Sequence, residues 1–233
     1  MGTIQSERWG PPGPPRAAEG GHDPIRRVIS SYDDPIIRSY SYLRFKIFRQ
    51  RFLDEIGQYL PREGRVLDVG CGFGLFSLYY AQVLPQAELH GFDLNDRRIA
   101  IARRAAIKLG LQNVSYSVKN ALEMSGDERW SGVYMLDVVH HVPQSTVRPL
   151  LEEVHRSLSR GSRLIIKELD TSPGWKRLYS HALDWAMSPS SPVRYWGARE
   201  ITELLDDVGF DVSQHAMVDY LPYPHMLYVC TRR

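Results

Sequence analysis

Beyond Pro61, short apolar runs alternate with stretches of helical length, and this alternation limits the possible folds more than any other feature of the chain. Residues 66–69, 87–92, 114–118, 130–136 and 163–167 read as strands. Between them, residues 75–84 read as a helix. A second helix carries Ile99, Ala102, Ala106 and Leu109 on one face, with Asn95 as its cap and Gly110 as its stop. A third carries Val147, Leu150, Leu151, Val154 and Leu158 and is stopped by Gly161. Strands separated by helices of this length must pair in parallel through crossovers, which gives an open sheet covered on both faces. Residues 211–217 and 225–230 supply two further strands suited to an antiparallel hairpin. The expected class is therefore α/β, a doubly wound, mostly parallel sheet of seven strands.

Three segments lie outside this alternation. Residues 1–21 are dense in Gly and Pro and read as a disordered leader, without the apolar segment of a secretory signal. Residues 22–61 read as a helical cap on the 22–233 domain. Asp34 and Pro35 form an N-cap and N1 pair, and Ile36, Ile37, Tyr40, Leu43, Ile47, Phe48, Phe52, Ile56 and Leu60 recur at helical spacing. This is one long helix or two shorter ones, with Arg38, Arg44, Lys46, Arg49 and Arg51 interspersed. Residues 171–197, with Trp175, Tyr179, Trp185, Met187, Tyr195 and Trp196, form an insert after strand five. It reads as a lid over a pocket, or as a helix packed by its own apolar stripe.

The first strand runs into Gly70-Cys71-Gly72-Phe73-Gly74, and a helix begins at once. Glycines at such a turn let backbone approach a ligand closely, at the carboxyl end of a strand. The third glycine comes one residue too early for the GxGxxG spacing of a dinucleotide loop, which argues against NAD. Nineteen residues after Gly74 the second strand ends at Asp93, where a carboxylate can accept both ribose hydroxyls of a nucleoside.

Together these residues resemble the class I S-adenosylmethionine-dependent methyltransferases, a family with a Rossmann-like fold. VLDVGCGFG (66–74) matches the first motif, GFDLN (91–95) is similar to the second, and LDVVHHV (136–142) is similar to the fourth. The resemblance covers residues 60–230. It implies S-adenosylmethionine as cofactor, with Asp68 and the backbone of Gly70, Gly72 and Gly74 on its methionine part and Asp93 on its ribose. Leu94 and Ala121 would pack on the adenine, and Asn120, in place of the commoner Asp, would address the N6 group. Cys71 and Asp137 complete the donor-side set. Cys71 reads as a small loop residue rather than a nucleophile, since no partner base is evident.

Methyl transfer from a sulfonium depends mainly on in-line placement, and a base is needed only where the acceptor must lose a proton. His140 and His141 follow strand four, and one of an adjacent pair points into the fold. His141 is preferred as base, because some small-molecule members carry a histidine four residues after the strand-four acid. Glu168 and Asp170 at the end of strand five would face the same edge in this fold, to orient or deprotonate an acceptor or simply to cap the next segment. The aromatic insert favours a small organic or lipid-like acceptor. Two cysteines cannot build a cysteine zinc site alone, and no metal ligand set is expected.

The formal net charge of +2 is too mild to imply nucleic acid; the Asn/Asp-Pro-Pro-Tyr/Phe motif used on amides and exocyclic amines is absent, as is the Pro-Cys pair of cytosine-C5 and related RNA enzymes. The cations of residues 38–51 leave open a nucleic-acid or protein acceptor, or an amphipathic helix on an anionic membrane. A non-catalytic nucleoside-binding module is the remaining alternative. No run reaches ~18 apolar residues, so no transmembrane helix is expected. The cysteine count suits a reducing, cytoplasmic setting.

Overall fold

The computed structural model describes residues 23–123, 129–170, 194, 196–217 and 225–233. The leader 1–21 and nearly all of the insert 171–197 lie outside the described residues.

The segment read as one or two helices forms three: α1 (Pro24–Ser31), α2 (Pro35–Ile47) and α3 (Gln50–Gly57). The extra breaks have local causes. The Asp34 carboxylate accepts the Ile36 N–H at 2.7 Å and Pro35 opens α2, so α1 cannot run on into it. Arg49 is extended, with φ −61° and ψ 161°, and separates α2 from α3.

The α/β alternation then follows: β1 (Glu63–Val69), α4 (Leu75–Val83), β2 (Gln86–Asp93), α5 (Asp96–Leu109), β3 (Val114–Val118), β4 (Trp130–Leu136), α6 (Gln144–Ser157), β5 (Leu158–Leu169), α7 (Ala198–Val208), β6 (Phe210–Ala216) and β7 (His225–Arg232). The seven strands form one sheet in the order β3-β2-β1-β4-β5-β7-β6. The first five are parallel, and β7 pairs antiparallel with both β5 and β6. The last two strands thus form the expected antiparallel pair, with β7 placed inside the sheet and β6 at its edge.

Asn95 caps α5 by accepting the Arg98 N–H, and Gly110 and Gly209 end α5 and α7 in the left-handed conformation. One face of the sheet is covered by α1–α5, where Phe48, Phe52, Leu78 and Ile99 are buried. The other is covered by α6 and α7, where Val147, Leu151, Val154 and Leu205 pack on Val133, Leu164 and Ile166. The chain order reverses between β1 and β4. Outside the strands' carboxyl ends, such a reversal is the usual ligand position in open α/β sheets. Among the described residues no helix is long and apolar enough to cross a membrane.

Candidate active site

The turn after β1 is held from two sides. Gly70 and Cys71 donate their N–H groups to the Phe92 carbonyl, at 2.8 and 2.9 Å. The Gly72 N–H donates to Asp93 Oδ2 at 2.9 Å, and Asp93 Oδ1 accepts the Asn95 N–H at 2.8 Å. Asp93 is therefore fixed at the end of β2, and each oxygen keeps a lone pair for a further donor. Gly70, Gly72 and Gly74 all have positive φ, but their surroundings differ. A Cβ at Gly74 would lie 2.6 Å from the Tyr116 hydroxyl, and one at Gly70 would lie 2.8 Å from Val138. At Gly72 nothing lies within 4 Å. Gly74 and Gly70 are glycines because the protein itself approaches closely, whereas Gly72 faces open space.

Beneath the turn, Asp68 is 3% exposed and its Oδ2 has no hydrogen-bond partner. Burial pushes its pKa up to about 7. The neighbouring Ser77 and Tyr134 hydroxyls pull it down, and Asp93 pushes it up. A buried carboxyl with one oxygen left without a partner suits a cationic ligand and fits a sulfonium donor with an ammonium group. Cys71 is buried, and burial together with Asp68 and Asp93 raises its thiol pKa, which disfavours the thiolate. Leu94 is exposed, Ala121 is half-buried, and Asn120 Oδ1 accepts the Leu122 N–H at 3.0 Å. These three residues stand at the ends of β2 and β3, beside Asp93.

At the end of β4, Asp137 has φ +57° and is the one non-glycine residue with positive φ among the described residues. Its carboxylate accepts Lys167 Nζ on Oδ1 at 2.5 Å and Arg44 Nη2 on Oδ2 at 3.0 Å. Lys167 is fully buried, with its ammonium 4.5 Å from the Phe48 ring centroid. Burial alone would raise the Asp137 pKa, but Lys167 and Arg44 outweigh it and hold the carboxyl well below the usual range. The role of Arg44 and Lys167 escaped the reading of the sequence. A lysine within an apolar strand was the available signal, because a buried ammonium must find a carboxylate.

The two histidines face different surroundings. His140 is 2% exposed, and its Nδ1 lies 2.6 Å from Glu168 Oε2. The other Glu168 oxygen accepts the Val139 N–H at 2.7 Å. His141 is exposed at the end of the short 3-10 turn Val139–His141, with its ring 4.1 Å from that of His140. Ligand atoms of Asp137, His140 and Glu168 fall within 4.8 Å of one another. With Lys167 and Arg44 already on Asp137, two protein cations stand where a metal would compete.

The N-terminal helices reach this edge. The Tyr32 hydroxyl donates to the Phe73 carbonyl at 2.9 Å, Tyr40 packs edge-on against Phe73, and Arg44 reaches from α2 to Asp137. The structure thus gathers the glycine turn, Asp93, Asn120, Asp137, His140, His141 and Glu168 at one end of the sheet.

A glycine turn tied to a carboxylate at the end of β2, beside the crevice of a doubly wound sheet, defines a class of domain built to hold a nucleoside. A family model described as a methyltransferase domain matches residues 41–215. The chain belongs to that family, the class I S-adenosylmethionine-dependent methyltransferases. It is 29% identical over 158 residues to a trans-aconitate 2-methyltransferase of Pseudomonas paraeruginosa, covering 66% of this chain and 54% of that protein. It is 30% identical over 115 residues to a ubiquinone biosynthesis O-methyltransferase of Xanthomonas axonopodis pv. citri, covering 48% and 46%. The chain thus spans about half the length of these curated relatives. In fold it is similar to the magnesium protoporphyrin IX methyltransferase of Synechocystis PCC 6803 crystallised with bound SAH. The TM-score is 0.64 at 20% identity, covering 90% of this chain and 93% of that one.

Proposed function

We propose that the protein transfers a methyl group from S-adenosylmethionine to a small organic or lipid-like acceptor, on oxygen, nitrogen or carbon. The observation that carries this reading is the Asp93 carboxylate, locked between the Gly72 and Asn95 amides beside the open face of the glycine turn. When bound, S-adenosylmethionine supplies an activated methyl group on a sulfonium. Asp93 would hold the ribose hydroxyls, and Asp68 with the Gly70, Gly72 and Gly74 backbone would hold the methionine part. Leu94, Asn120 and Ala121 would take the adenine, while Cys71 and Asp137 complete the wall. The relatives named for trans-aconitate and ubiquinone biosynthesis support a small acceptor.

For the acceptor's proton we assign His141 as base, since it is exposed and an imidazole titrates near neutral pH. His140, fixed by Glu168 and with its ring tilted against that of His141, is the positioning residue. The helices of residues 22–61 serve as a cap, and residues 171–197 as a lid. Residues 1–21 act as a dispensable leader. A reducing, cytoplasmic setting suits the two free thiols Cys71 and Cys230.

Calorimetry tests the donor assignment. Wild-type protein should bind S-adenosylmethionine and not NAD, and Asp93→Ala should weaken the donor roughly 100-fold, as two charge-assisted hydrogen bonds are lost. Unchanged donor affinity in Asp93→Ala would overturn the assignment. Once an acceptor is in hand, His141→Ala should lower turnover about 100-fold at unchanged donor affinity.

A further inference from the structure

We propose that the outer face of α2 docks on the surface of an anionic lipid bilayer. From Pro35 to Leu53 the chain carries five cations, Arg38, Arg44, Lys46, Arg49 and Arg51, and no Asp or Glu in nineteen residues. Arg44 turns inward to Asp137, and the other four are exposed. The exposed side of α2 is also apolar. Ile36 is 78% exposed, Tyr42 55% and Leu43 42%, three of the seven large apolar residues left in solvent among the described residues.

Their spacing places them on one surface. Ile36, Ser39, Leu43 and Lys46 fall at i, i+3, i+7 and i+10, with Tyr42 alongside. The Lys46 ammonium sits 5.3 Å from the Tyr42 ring centroid, so an aromatic and a cation share the same patch. Arg38 is exposed as a residue, while its guanidinium donates to the Tyr32 carbonyl at 2.7 and 3.1 Å. The acids that flank the segment are engaged: Asp33 pairs with Lys108, Asp34 caps the helix, Asp54 accepts from Gln50, and Glu55 meets His215.

An apolar stripe between cations, with no acid along nineteen residues, matches the layering of an anionic interface. Side chains enter the acyl boundary while Lys and Arg meet the headgroups. The inner side of the same helix carries Arg44 to the site edge, so docking by the outer side would bring the crevice to the lipid surface. Only this use of the docking, delivery of a lipid-like acceptor, rests on the proposed methyl transfer.

Sedimentation of the full chain with vesicles tests the docking without donor or acceptor present. The protein should pellet with phosphatidylcholine vesicles containing phosphatidylglycerol, not with phosphatidylcholine alone, and high salt should release it. Lys46→Glu/Arg51→Glu and, separately, Ile36→Asp/Leu43→Asp should each reduce partitioning at least about tenfold, from roughly fivefold per cation and the lost apolar insertion. Unchanged donor binding by calorimetry in both variants shows that the fold and site persist. Three results would each overturn the proposal: no partitioning of wild type into anionic vesicles, equal partitioning of wild type and both variants, or single-stranded RNA binding lost in Lys46→Glu/Arg51→Glu with no vesicle binding. A dimer dispersed by Ile36→Asp/Leu43→Asp in protein that ignores vesicles would assign the face to a second copy and overturn it too.

Discussion

Lys167→Met is the sharpest perturbation of the site's charge network. The ammonium is fully buried and lies 2.5 Å from Asp137 Oδ1, while the carboxylate keeps Arg44 at 3.0 Å on its other oxygen. Removing one partner of a buried pair typically costs about 3–5 kcal/mol, because the other charge stays desolvated. The remaining Arg44 places the expected loss near the lower end, about 3 kcal/mol. For a domain of this size that corresponds to a fall in Tm of roughly 6–12 °C, measured by circular dichroism at neutral pH. Asp137→Asn, which tolerates the left-handed backbone, should also destabilise, since it strands two cations. The double variant removes both charges and should cost clearly less than the two single losses combined. Acid should narrow the gap between wild type and Lys167→Met. The depressed Asp137 pKa contributes stability that is present above the unfolded value near 4 and lost as pH falls through the folded one. Additive single losses, or a Lys167→Met cost below about 1 kcal/mol, would refute this account of the network.

Asp68 makes the opposite pH prediction. Its folded pKa is raised to about 7, so the folded state holds the proton more tightly and stability falls as pH climbs from about 4 to about 7. Asp68→Asn should remove that slope, gaining on wild type by up to roughly 2.5 kcal/mol between pH 5 and pH 8; a Tm difference independent of pH would refute it. Among the glycines, Gly72→Ala should cost only about 1–2 kcal/mol of stability, for its positive φ, yet weaken donor binding strongly, because its open side is where the donor would lie. Gly74→Ala should lose more stability, since its Cβ would meet Tyr116 and Ala102. Equal donor affinity of Gly72→Ala and wild type would refute the assignment of that open face.

The parts of the site that were legible in the sequence lie close together along the chain. The strand, glycine turn and helix of residues 66–84, and Asp93 at the end of the next strand, are set by spacing and local turn chemistry. The parts that escaped are pairings across long separations. Arg44 and Asp137 stand 93 residues apart, and no periodicity links them. The extent of β5 was also underestimated, because it runs from Leu158 through Gly161 to Leu169. Gly161, with φ +73°, sits inside the strand rather than ending the preceding helix, which stops at Ser157. The histidine pair was partly legible. Adjacency implied that one ring faces inward, but only the Glu168 contact identifies His140 as that ring.

The position of β7 has a consequence for incomplete copies of the chain. β7 comes after β6 in sequence yet lies between β5 and β6 in the sheet. A polypeptide that stops between Ala216 and His225 leaves β5 with a bare edge along Leu164, Ile165 and Ile166, and deprives β6 of the strand it pairs with. Such an edge is a template for aggregation and a handle for chaperones and proteases. Such truncated translation products would therefore carry their own mark for disposal, although every residue proposed to hold the donor, from Asp68 to Asp137, had already been made.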